Sequence, residues 1–481
     1  MKMCRGRKLE YLTEDEIERI HLATLDVLEN VGVIFRHQEA LEILKESGAM
    51  VDFGRQLVKI PPHLVEKAIR TAPSRFTWHA RNPKNNLKIE DSNICFSPAA
   101  TCPFVYDLET GKRREATFQD AVNLTRLADS LELIGDGYCM VYPRDVPNSA
   151  AHAYMMLAII ENTSKCIRGR NNGRQVAKDC IHMMEMVAGG EDAQRQRPNL
   201  LGIPVTVPPL QHDAAQIDGL IEYARRGLPM GPSSQIASVA TGPVSLAGCL
   251  VQLNAEVLAE ITLAQFVNPG TPVLYGTVAS VMDMRTTSYR YGAAELGMMN
   301  AAAAQLARYY HIPSRGSAGS SDSKTYDMQA GMEGVLSLMQ AALAGINYMI
   351  YTAGGLDLGM SISYEKVLID YEAIQAIARI LRGIEVNEDS LATEVIAEVG
   401  PGGHYLSHKH TRHNLKKEHH IPSEIIDTLN YSLWTKKGSK DIRERAREKV
   451  KKILQQYEPE PIDEGLKKEL RDFVKHVEKR G

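Results

Sequence analysis

The sequence of 481 residues lacks the features that define several broad classes of protein. Its seven cysteines include no C-x-x-C pair, so neither a disulfide framework nor a cysteine zinc site is indicated. It has no uninterrupted run of about twenty apolar residues, and no apolar stretch follows the basic residues at its start. The net charge of −3 shows no bias towards nucleic acid. We therefore expect a cytoplasmic protein with reduced thiols that binds neither nucleic acid nor membrane.

The N-terminal residues predict a small α+β unit. Residues 13–32 have helical periodicity, begin at a capping Thr13 and end at Gly32. Further helices are predicted over 37–47 and after Pro61, and short strands over 56–60 and 75–80. We predict that residues 1–93 form an extension that serves as a lid or packing domain.

From residue 94 onwards, short apolar runs of strand type alternate with longer segments of helical period. The predicted strands lie near 94–106, 133–142, 164–170, 199–207, 229–238, 272–278, 312–318 and 346–353. Helices are predicted between them, for example over 117–129, 245–266 and 323–343. Eight such pairs predict an α/β fold of the TIM (β/α)8 barrel type over residues 94–389, followed by a C-terminal loop and helices over 390–481.

An open doubly wound sheet is the alternative to the barrel. It requires a glycine fingerprint for a dinucleotide, and GSAGSSDSK at 316–324 fits neither that spacing nor the spacing of a phosphate loop. We therefore favour the barrel, whose functional residues lie on loops at the C-terminal ends of the strands.

Six of the fifteen histidines fall within residues 402–420, GGHYLSHKHTRHNLKKEHH. This stretch lacks the H-E-x-x-H pattern, and no cysteine or paired carboxylate stands nearby at a fixed spacing. We therefore predict no metal site here, but a flexible, weakly cationic loop.

Several long stretches resemble the trimethylamine methyltransferase family, in particular its pyrrolysine-free branch that acts on quaternary amines such as glycine betaine. The similar segments include IHLATLDVLENVGV near the start, NPGTPVLYGTVASVMDMRTTSYRYGAAE and SSDSKTYDMQAGMEG in the middle, and GPGGHYLSHKHTRHNLKKEH near the end. Each pattern is weak alone, but their order and spacing across nearly the whole chain make a specific signal.

The resemblance implies a TIM-barrel methyltransferase that moves a methyl group from an amine to the Co(I) form of a corrinoid held on a separate protein. Family members that use trimethylamine carry pyrrolysine, whereas this chain contains only standard residues. Glycine betaine, carnitine or proline betaine is therefore the expected type of substrate. The chain lacks the D-x-H-x-x-G arrangement of corrinoid proteins, so the cofactor is expected to arrive on a partner.

The chemistry of a quaternary amine predicts the kind of side chains required. The positive charge already activates the N–CH₃ bond, so the protein needs no proton donor, but it must position the substrate and exclude water. Aromatic rings suit the ammonium group and arginines suit a carboxylate. The candidates at predicted strand ends are Tyr142, Arg170, Gln235, Tyr275, Thr277, Arg315 and Tyr351. Arg168 and Ser317 also lie at these ends but are not singled out.

Alternatives remain for each of these predictions. A candidate tyrosine can be a half-buried packing residue, and Arg170 or Arg315 can form a structural salt bridge. His404, His408 and His410 are predicted to dock the corrinoid partner, and the alternative is a solvated surface loop. A metal-dependent hydrolase or lyase and a cytoplasmic betaine-binding protein are the other functions considered. The terminal helices suit packing in a homo-oligomer.

The segment SSDSKTYDMQAGMEG predicts the capped start of a helix, with Lys324 in its first turn. Glu333 lies further along this helix, and we predict that it supports the structure, by pairing with Lys324, rather than acting as an acid or base.

Overall fold

The computed structural model describes residues 4–5, 9–90 and 93–480. The N-terminal strands are β1 (Cys4–Arg5), β2 (Val33–Phe35), β3 (Met50–Asp52), β4 (Leu57–Lys59), β5 (Phe76–Trp78) and β6 (Leu87–Ile89). The helices among them are α1 (Glu14–Asp26), α2 (Gln38–Glu46) and α3 (Pro62–Thr71). Thr13 caps α1 as predicted, because its hydroxyl accepts the N–H of Glu16 at 3.3 Å. The lid or packing role of this region stays a prediction.

The central region alternates strands and helices. Its strands are β7 (Asn93–Phe96), β8 (Phe104–Tyr106), β9 (Arg113–Glu115), β10 (Asp136–Gly137), β11 (Cys166–Arg168), β12 (Leu200–Leu201), β13 (Gln211–His212), β14 (Ser233–Ser234), β15 (Ala237–Ser238), β16 (Tyr275–Thr277), β17 (Ser280–Asp283), β18 (Ser288–Tyr289), β19 (Ser314–Ser317), β20 (Tyr348–Ile350), β21 (Gly355–Leu356) and β22 (Ser361–Ser363). Its helices are α4 (Phe118–Asp129), α5 (Ala151–Asn162), α6 (Arg174–Ala188), α7 (Glu191–Gln196), α8 (Ala214–Arg225), α9 (Leu246–Val267), α10 (Ala294–Tyr309), α11 (Met328–Ala344) and α12 (Tyr364–Arg382). The result is an α/β fold.

Parallel pairing links eight of these strand segments in series. Strands β7, β20, β19, β16 and β14 pair in that order, and β10, β11 and β12 pair with one another. Isolated parallel bridges connect the two groups, from Gly202 to Met230 and from Val205 to Ser233 on one side, and from Phe96 to Ile134 on the other. These eight segments are called the central strands below. One set of their apolar side chains shares a core with the helices, and a second set, which includes Cys95, Cys166 and Tyr348, packs with Trp78 of β5 and Leu87 of β6.

The structure refines the predicted element bounds. Helices α4 and α9 lie within a residue or two of the predicted 117–129 and 245–266. Helix α11 begins at Met328 rather than near 323, because Asp327 and not Ser323 supplies the cap, accepting the N–H of Ala330 at 3.1 Å. By length and composition α9 resembles a membrane span, but 72% of its apolar window is buried inside the protein, as in a core helix.

The C-terminal region is helical. Its helices are α13 (Glu388–Leu391), α14 (Thr393–Val399), α15 (Lys409–Glu418), α16 (Tyr431–Lys436), α17 (Ile442–Gln456) and α18 (Glu464–Arg480). Helix α17 packs on α12 and α4, and α18 packs on α5 and α6. The predicted flexible histidine loop is corrected in part, since residues 409–418 are helical and His408 caps the helix by accepting the N–H of His410 at 3.1 Å.

Candidate active site

Two glycines show which face of β19, and of the segment that continues β11, is turned towards the helices. A Cβ added to Gly169 would lie 2.7 Å from Cδ1 of Leu200, and one added to Gly316 would lie 2.3 Å from Oδ1 of Asn300 on α10. Both glycines therefore face the outer layer. Because side chains alternate along a strand, their neighbours Arg168 and Arg315 lie on the opposite face, here called the inner face.

Two buried arginines occupy the inner face. Arg168 and Arg315 are each only 2% exposed. The guanidinium carbon of Arg168 lies 3.5 Å from the centre of the Tyr138 ring. Nη1 of Arg315 donates a hydrogen bond to the hydroxyl of Ser233 on β14. Within the described part of the chain, neither guanidinium forms a salt bridge with a carboxylate, and Nε and Nη2 of Arg168 and Nε of Arg315 have no acceptor.

Polar atoms without a partner concentrate at this place. Of eleven buried side-chain nitrogen and oxygen atoms that have no hydrogen bond among the described residues, six belong to Asp136, Arg168, Arg315, Ser317 and Ser320. They include Nε and Nη2 of Arg168 and Nε of Arg315. Buried polar groups are almost always hydrogen-bonded in folded proteins, so such a cluster is typical of a site for a polar ligand.

The charges in the cluster favour an anion. Burial, and next the positive charge of Arg168, lower the pKa of Arg315 to about 10. The nearby carboxyl of Asp136 accepts a hydrogen bond from the hydroxyl of Tyr348 at 2.5 Å, and burial raises the pKa of this carboxyl. One such carboxyl balances at most one of the two guanidiniums, and an anionic group would neutralise the excess positive charge.

Three tyrosine rings lie beside the arginines. The ring centres of Tyr291 and Tyr351 are 5.8 Å apart, and those of Tyr289 and Tyr291 are 5.0 Å apart. Tyr351 follows β20 directly, whereas Tyr289 and Tyr291 come from the β17–β18 hairpin. Nε2 of Gln235 donates to the hydroxyl of Tyr291 at 3.4 Å. Together these rings, called the tyrosine wall below, offer π faces suited to an organic cation.

Two of the predicted substrate-binding residues lie elsewhere. The hydroxyl of Tyr275 donates to Oδ1 of Asn254 on α9 at 2.9 Å, and its ring packs beside Tyr310. Between Tyr275 and Thr277, a Cβ on Gly276 would lie 3.0 Å from Cδ of Arg315, so Gly276 faces inwards and its two neighbours face the helices. We therefore remove Tyr275 and Thr277 from the candidate site.

The other five predicted substrate-binding residues lie at or just beyond the ends of strands, as predicted. Arg315, Tyr351 and Gln235 belong to the cluster through the contacts given above. Arg170 lies on the inner face of the segment that contains Arg168, its guanidinium 5.8 Å from the ring centre of Tyr142. Tyr142 in turn donates its hydroxyl hydrogen to Oδ1 of Asn148. A role in substrate binding stays a prediction for all five.

Comparison with known proteins matches the whole chain to one family. Residues 2–481 match the family model for trimethylamine methyltransferase. The chain belongs to the trimethylamine methyltransferase family. A glycine betaine methyltransferase from Desulfitobacterium hafniense (strain Y51) is 39% identical over 468 residues, covering 97% of each chain. Trimethylamine methyltransferase MttB from Desulfitobacterium hafniense (strain DSM 10664 / DCB-2) is 38% identical over 98% of this chain and 95% of its own.

A solved structure shares the fold of this family member. Monomethylamine methyltransferase MtmB from Methanosarcina barkeri covers 93% of this chain and 95% of its own, with a TM-score of 0.50 at 11% identity. The crystal structure of the hydroxylamine MtmB complex gives a TM-score of 0.51 at 12% identity. At this level of identity the likeness concerns the fold alone.

The histidine-rich segment of this trimethylamine methyltransferase family member contacts α12 through Arg379, near the C-terminal end of that helix. His404 is exposed, and His408 contacts the carboxylate of Glu398 at 3.0 Å. Helix α15, which contains His410, ends where Nε of Arg379 donates to the carbonyl of Glu418 at 2.5 Å. Lys366, on the same helix, donates from Nζ to the carbonyl of Gly319 beyond β19 at 3.4 Å. Arg379 lies roughly 20 Å along α12 from Lys366, so the contact with α15 is at the far end of the helix from β19. The predicted role of these histidines in docking stays a prediction.

Metal ligands are not grouped in the described part of this family member. Among residues 9–90 and 93–480, no three His, Cys, Asp or Glu side chains lie together in a way that could hold a metal ion. None of the side chains in the arginine and tyrosine cluster is a histidine, so the cluster offers no imidazole ligand to cobalt.

Proposed function

We propose that this protein transfers a methyl group from a quaternary amine bearing a carboxylate to a Co(I) corrinoid carried by a separate protein. Glycine betaine, or a close relative such as carnitine or proline betaine, is the substrate. The observation that carries the proposal is the pair of buried guanidiniums, with unpaired Nε donors, beside three tyrosine rings. The relative named glycine betaine methyltransferase supports the same substrate.

The carboxylate binds between Arg168 and Arg315. The planar guanidinium presents donors along its edge, and a carboxylate accepts two of them at once. The stacked Tyr138 ring holds the plane of Arg168, and Ser233 holds one nitrogen of Arg315, so the remaining donors are preorganised. An anion at this position also accepts from Nε and Nη2 of Arg168 and from Nε of Arg315, the donors that lack a partner among the described residues. Arg170, two residues beyond the end of β11, is the alternative anchor.

The ammonium group binds against the tyrosine wall. Each cation–π contact contributes roughly 0.5–2 kcal/mol, and more where water is excluded. The two ends of a zwitterion are then held on different elements, the anion by residues on the central strands and the cation by Tyr351 and the β17–β18 hairpin. A substrate held at both ends presents one N–CH₃ bond in a fixed direction.

The chain's own residues bind and orient the substrate and exclude water. The corrinoid, when its carrier protein is docked, supplies the nucleophile that accepts the methyl group. Displacement of a neutral tertiary amine from a quaternary nitrogen needs no protonation of the leaving group. Burial raises the pKa of both Tyr289 and Tyr351, so both hydroxyls stay protonated and the tyrosine wall carries no negative charge of its own.

We infer that the central strands form a closed (β/α)8 barrel over residues 94–389. The support is the series of parallel contacts that leads from β7 through β20, β19, β16, β14, β12, β11 and β10 and back to Phe96 of β7. In such a barrel the candidate site lies at the C-terminal ends of the strands, where this fold places its active sites. Residues 1–93 and 390–481 are then additions to the barrel.

The exposed segment 384–433 is proposed as an interface of this cytoplasmic protein. It exposes eleven large apolar side chains, and Ile425 is its only buried residue. Contiguous apolar surface of this kind is typical of a protein–protein interface. A second copy of the chain is the favoured partner, because apolar surface of this extent is typical of homo-oligomers. His404, His408 and His410 belong to this segment, and docking of the corrinoid protein there is the alternative.

A panel of methylated amines mixed with Co(I)cobalamin tests the activity. We expect glycine betaine to produce the absorption change to methyl-Co(III). Stoichiometric zinc in the purified protein, with activity lost on chelation, would instead support a metal-dependent hydrolase or lyase. Binding of glycine betaine without turnover would support a betaine-binding protein.

A further inference from the structure

Two of the three rings in the tyrosine wall are on a hairpin outside the central strands. Strands β17 and β18 pair antiparallel, and the turn between them exposes Met284 and Arg285. Tyr289 and Tyr291 follow at the end of this hairpin. A ring on such a peripheral element contributes to binding only if another element holds the hairpin in place.

Asp322 joins this hairpin to the segment that follows β19. Its Oδ1 accepts the backbone N–H of Tyr291 at 2.7 Å, and its Oδ2 forms an ion pair with Nε of Arg290. The side chain of Asp322 is only 8% exposed, so both contacts are shielded from water. The same carboxylate therefore holds the main chain at Tyr291 and the side chain next to it.

Helix α11 holds Asp322 in turn. Oε2 of Glu333 accepts the N–H of Asp322 at 2.9 Å and the hydroxyl of Ser321 at 2.6 Å. A Cβ on Gly292, the residue after Tyr291, would lie 2.1 Å from Cδ of Glu333. Glu333 therefore supports the structure as predicted, but through Ser321 and Asp322, while Lys324 donates to the carbonyl of Asp322 at 2.9 Å.

We propose that Asp322 is a positioning residue that sets affinity for the ammonium end of the substrate by holding the Tyr291 ring beside Tyr351. The inference rests on the proposed function, because it assigns the tyrosine wall to the cation. Asp322 itself contacts no substrate. Its contacts run from α11 through Glu333 to the hairpin, and they end at the ring pair separated by 5.8 Å.

Three variants of the full-length protein test this role. Asp322→Ala removes both contacts, whereas Asp322→Asn keeps an oxygen that accepts the N–H of Tyr291 and loses only the charge. Arg285→Gln is the matched control, because Arg285 forms an exposed ion pair with Asp283 near the tip of the same hairpin. Hydrogen exchange across residues 284–292 is measured on the free protein, together with KM and kcat for glycine betaine with Co(I)cobalamin.

For Asp322→Ala we expect exchange at Tyr291 to rise about tenfold or more, since a hydrogen bond to a buried carboxylate is lost. We expect KM to rise about fivefold while kcat falls less than about twofold, because the positive charge on nitrogen decreases as the methyl group leaves and the ring therefore stabilises the bound substrate at least as much as the transition state. In Asp322→Asn, both the protection of Tyr291 from exchange and the KM should be close to those of the wild type. Arg285→Gln should match the wild type in both.

Faster exchange at Tyr291 with an unchanged KM would overturn the positioning role. The role would also be overturned if Asp322→Ala and Arg285→Gln changed KM and kcat to the same extent. If the wild type fails to demethylate any quaternary amine, the proposed function fails. Unchanged exchange at Tyr291 in Asp322→Ala would instead refute this inference whatever the substrate, so the two failures are distinct.

Discussion

The Arg168 guanidinium stacks on the Tyr138 ring at 3.5 Å, and the two residues come from neighbouring central strands. Stacking of this kind fixes the plane of the guanidinium and leaves its edge available. Nε and Nη2 on that edge have no hydrogen-bond partner among the described residues. This geometry supports the proposed role of Arg168 as an anchor for a planar anion, and no carboxylate among the described residues forms a salt bridge with it.

Replacement of either arginine by lysine should weaken binding of glycine betaine. Lysine keeps the charge but loses the planar pair of donors, so we expect KM for glycine betaine to rise about tenfold or more in Arg168→Lys and Arg315→Lys. Choline keeps the cation and lacks the carboxylate, so the wild type should discriminate against it. Equal turnover of choline and glycine betaine would show that the arginines are structural.

Removal of one ring from the tyrosine wall should weaken binding of the ammonium group. Tyr351→Ala and Tyr291→Ala should each cost on the order of 1 kcal/mol in binding of glycine betaine, and the Phe variants less, because the π face survives. Calorimetric titration measures the free energy of binding in each variant. Tyr275→Phe is the control, since it loses its hydrogen bond with Asn254. This variant should lower the free energy of unfolding by about 1 kcal/mol without affecting binding of glycine betaine.

The sequence predicted the order of elements well because hydrophobic periodicity reports burial directly. It located helix α9 and the strands that carry Arg168 and Arg315 to within a few residues. It erred at Tyr275, because a pattern of strand type does not say which face is inner, and a shift of one residue exchanges the faces. The signal that could have corrected it is Gly276, whose missing side chain leaves room for Arg315.

Other site residues could not be predicted from local pattern. Tyr291 is held by Asp322, some thirty residues later in the chain, and by Gln235, which lies 56 residues earlier. Asp136 and Tyr348 form a hydrogen bond across a sequence separation of 212 residues. Such contacts depend on how the central strands are ordered in space, which no single segment encodes.

Trimethylamine should be a poor substrate compared with glycine betaine. Its nitrogen carries no permanent positive charge, and it has no carboxylate for Arg168 and Arg315, so both the activation of the methyl group and one anchor are lost. The rate of methyl-Co(III) formation with each amine at equal concentration measures the difference. Comparable rates would contradict the proposed anchoring of a carboxylate.

Self-association should depend on the exposed apolar segment 384–433. Leu406 is 89% exposed and Ile384 is 87% exposed, so charge at either position cannot disturb the protein's own core. We expect Leu406→Glu and Ile384→Glu to yield a smaller species by light scattering after gel filtration, with an unchanged melting profile of the isolated chain. If both variants keep the mass of the wild type, the corrinoid protein is the partner to test. The KM of each variant for the corrinoid protein would then be measured.

The closest backbone approach in the candidate site gives the most direct test of its geometry. A Cβ on Gly276 would lie 2.4 Å from the carbonyl oxygen of Pro232 and 3.0 Å from Cδ of Arg315. Because the first of these is backbone, Gly276→Ala must separate two central strands or displace the arginine, at a cost of about 1–3 kcal/mol in the free energy of unfolding. We also expect KM for glycine betaine to rise.

Gly331→Ala is the control, since no atom lies within 4 Å of its Cβ on α11 and the substitution should stabilise the helix by up to about 1 kcal/mol. Wild-type stability and KM in Gly276→Ala would mean that the Arg315 side chain does not occupy the space beside Gly276, and the carboxylate anchor would have to be sought at Arg170.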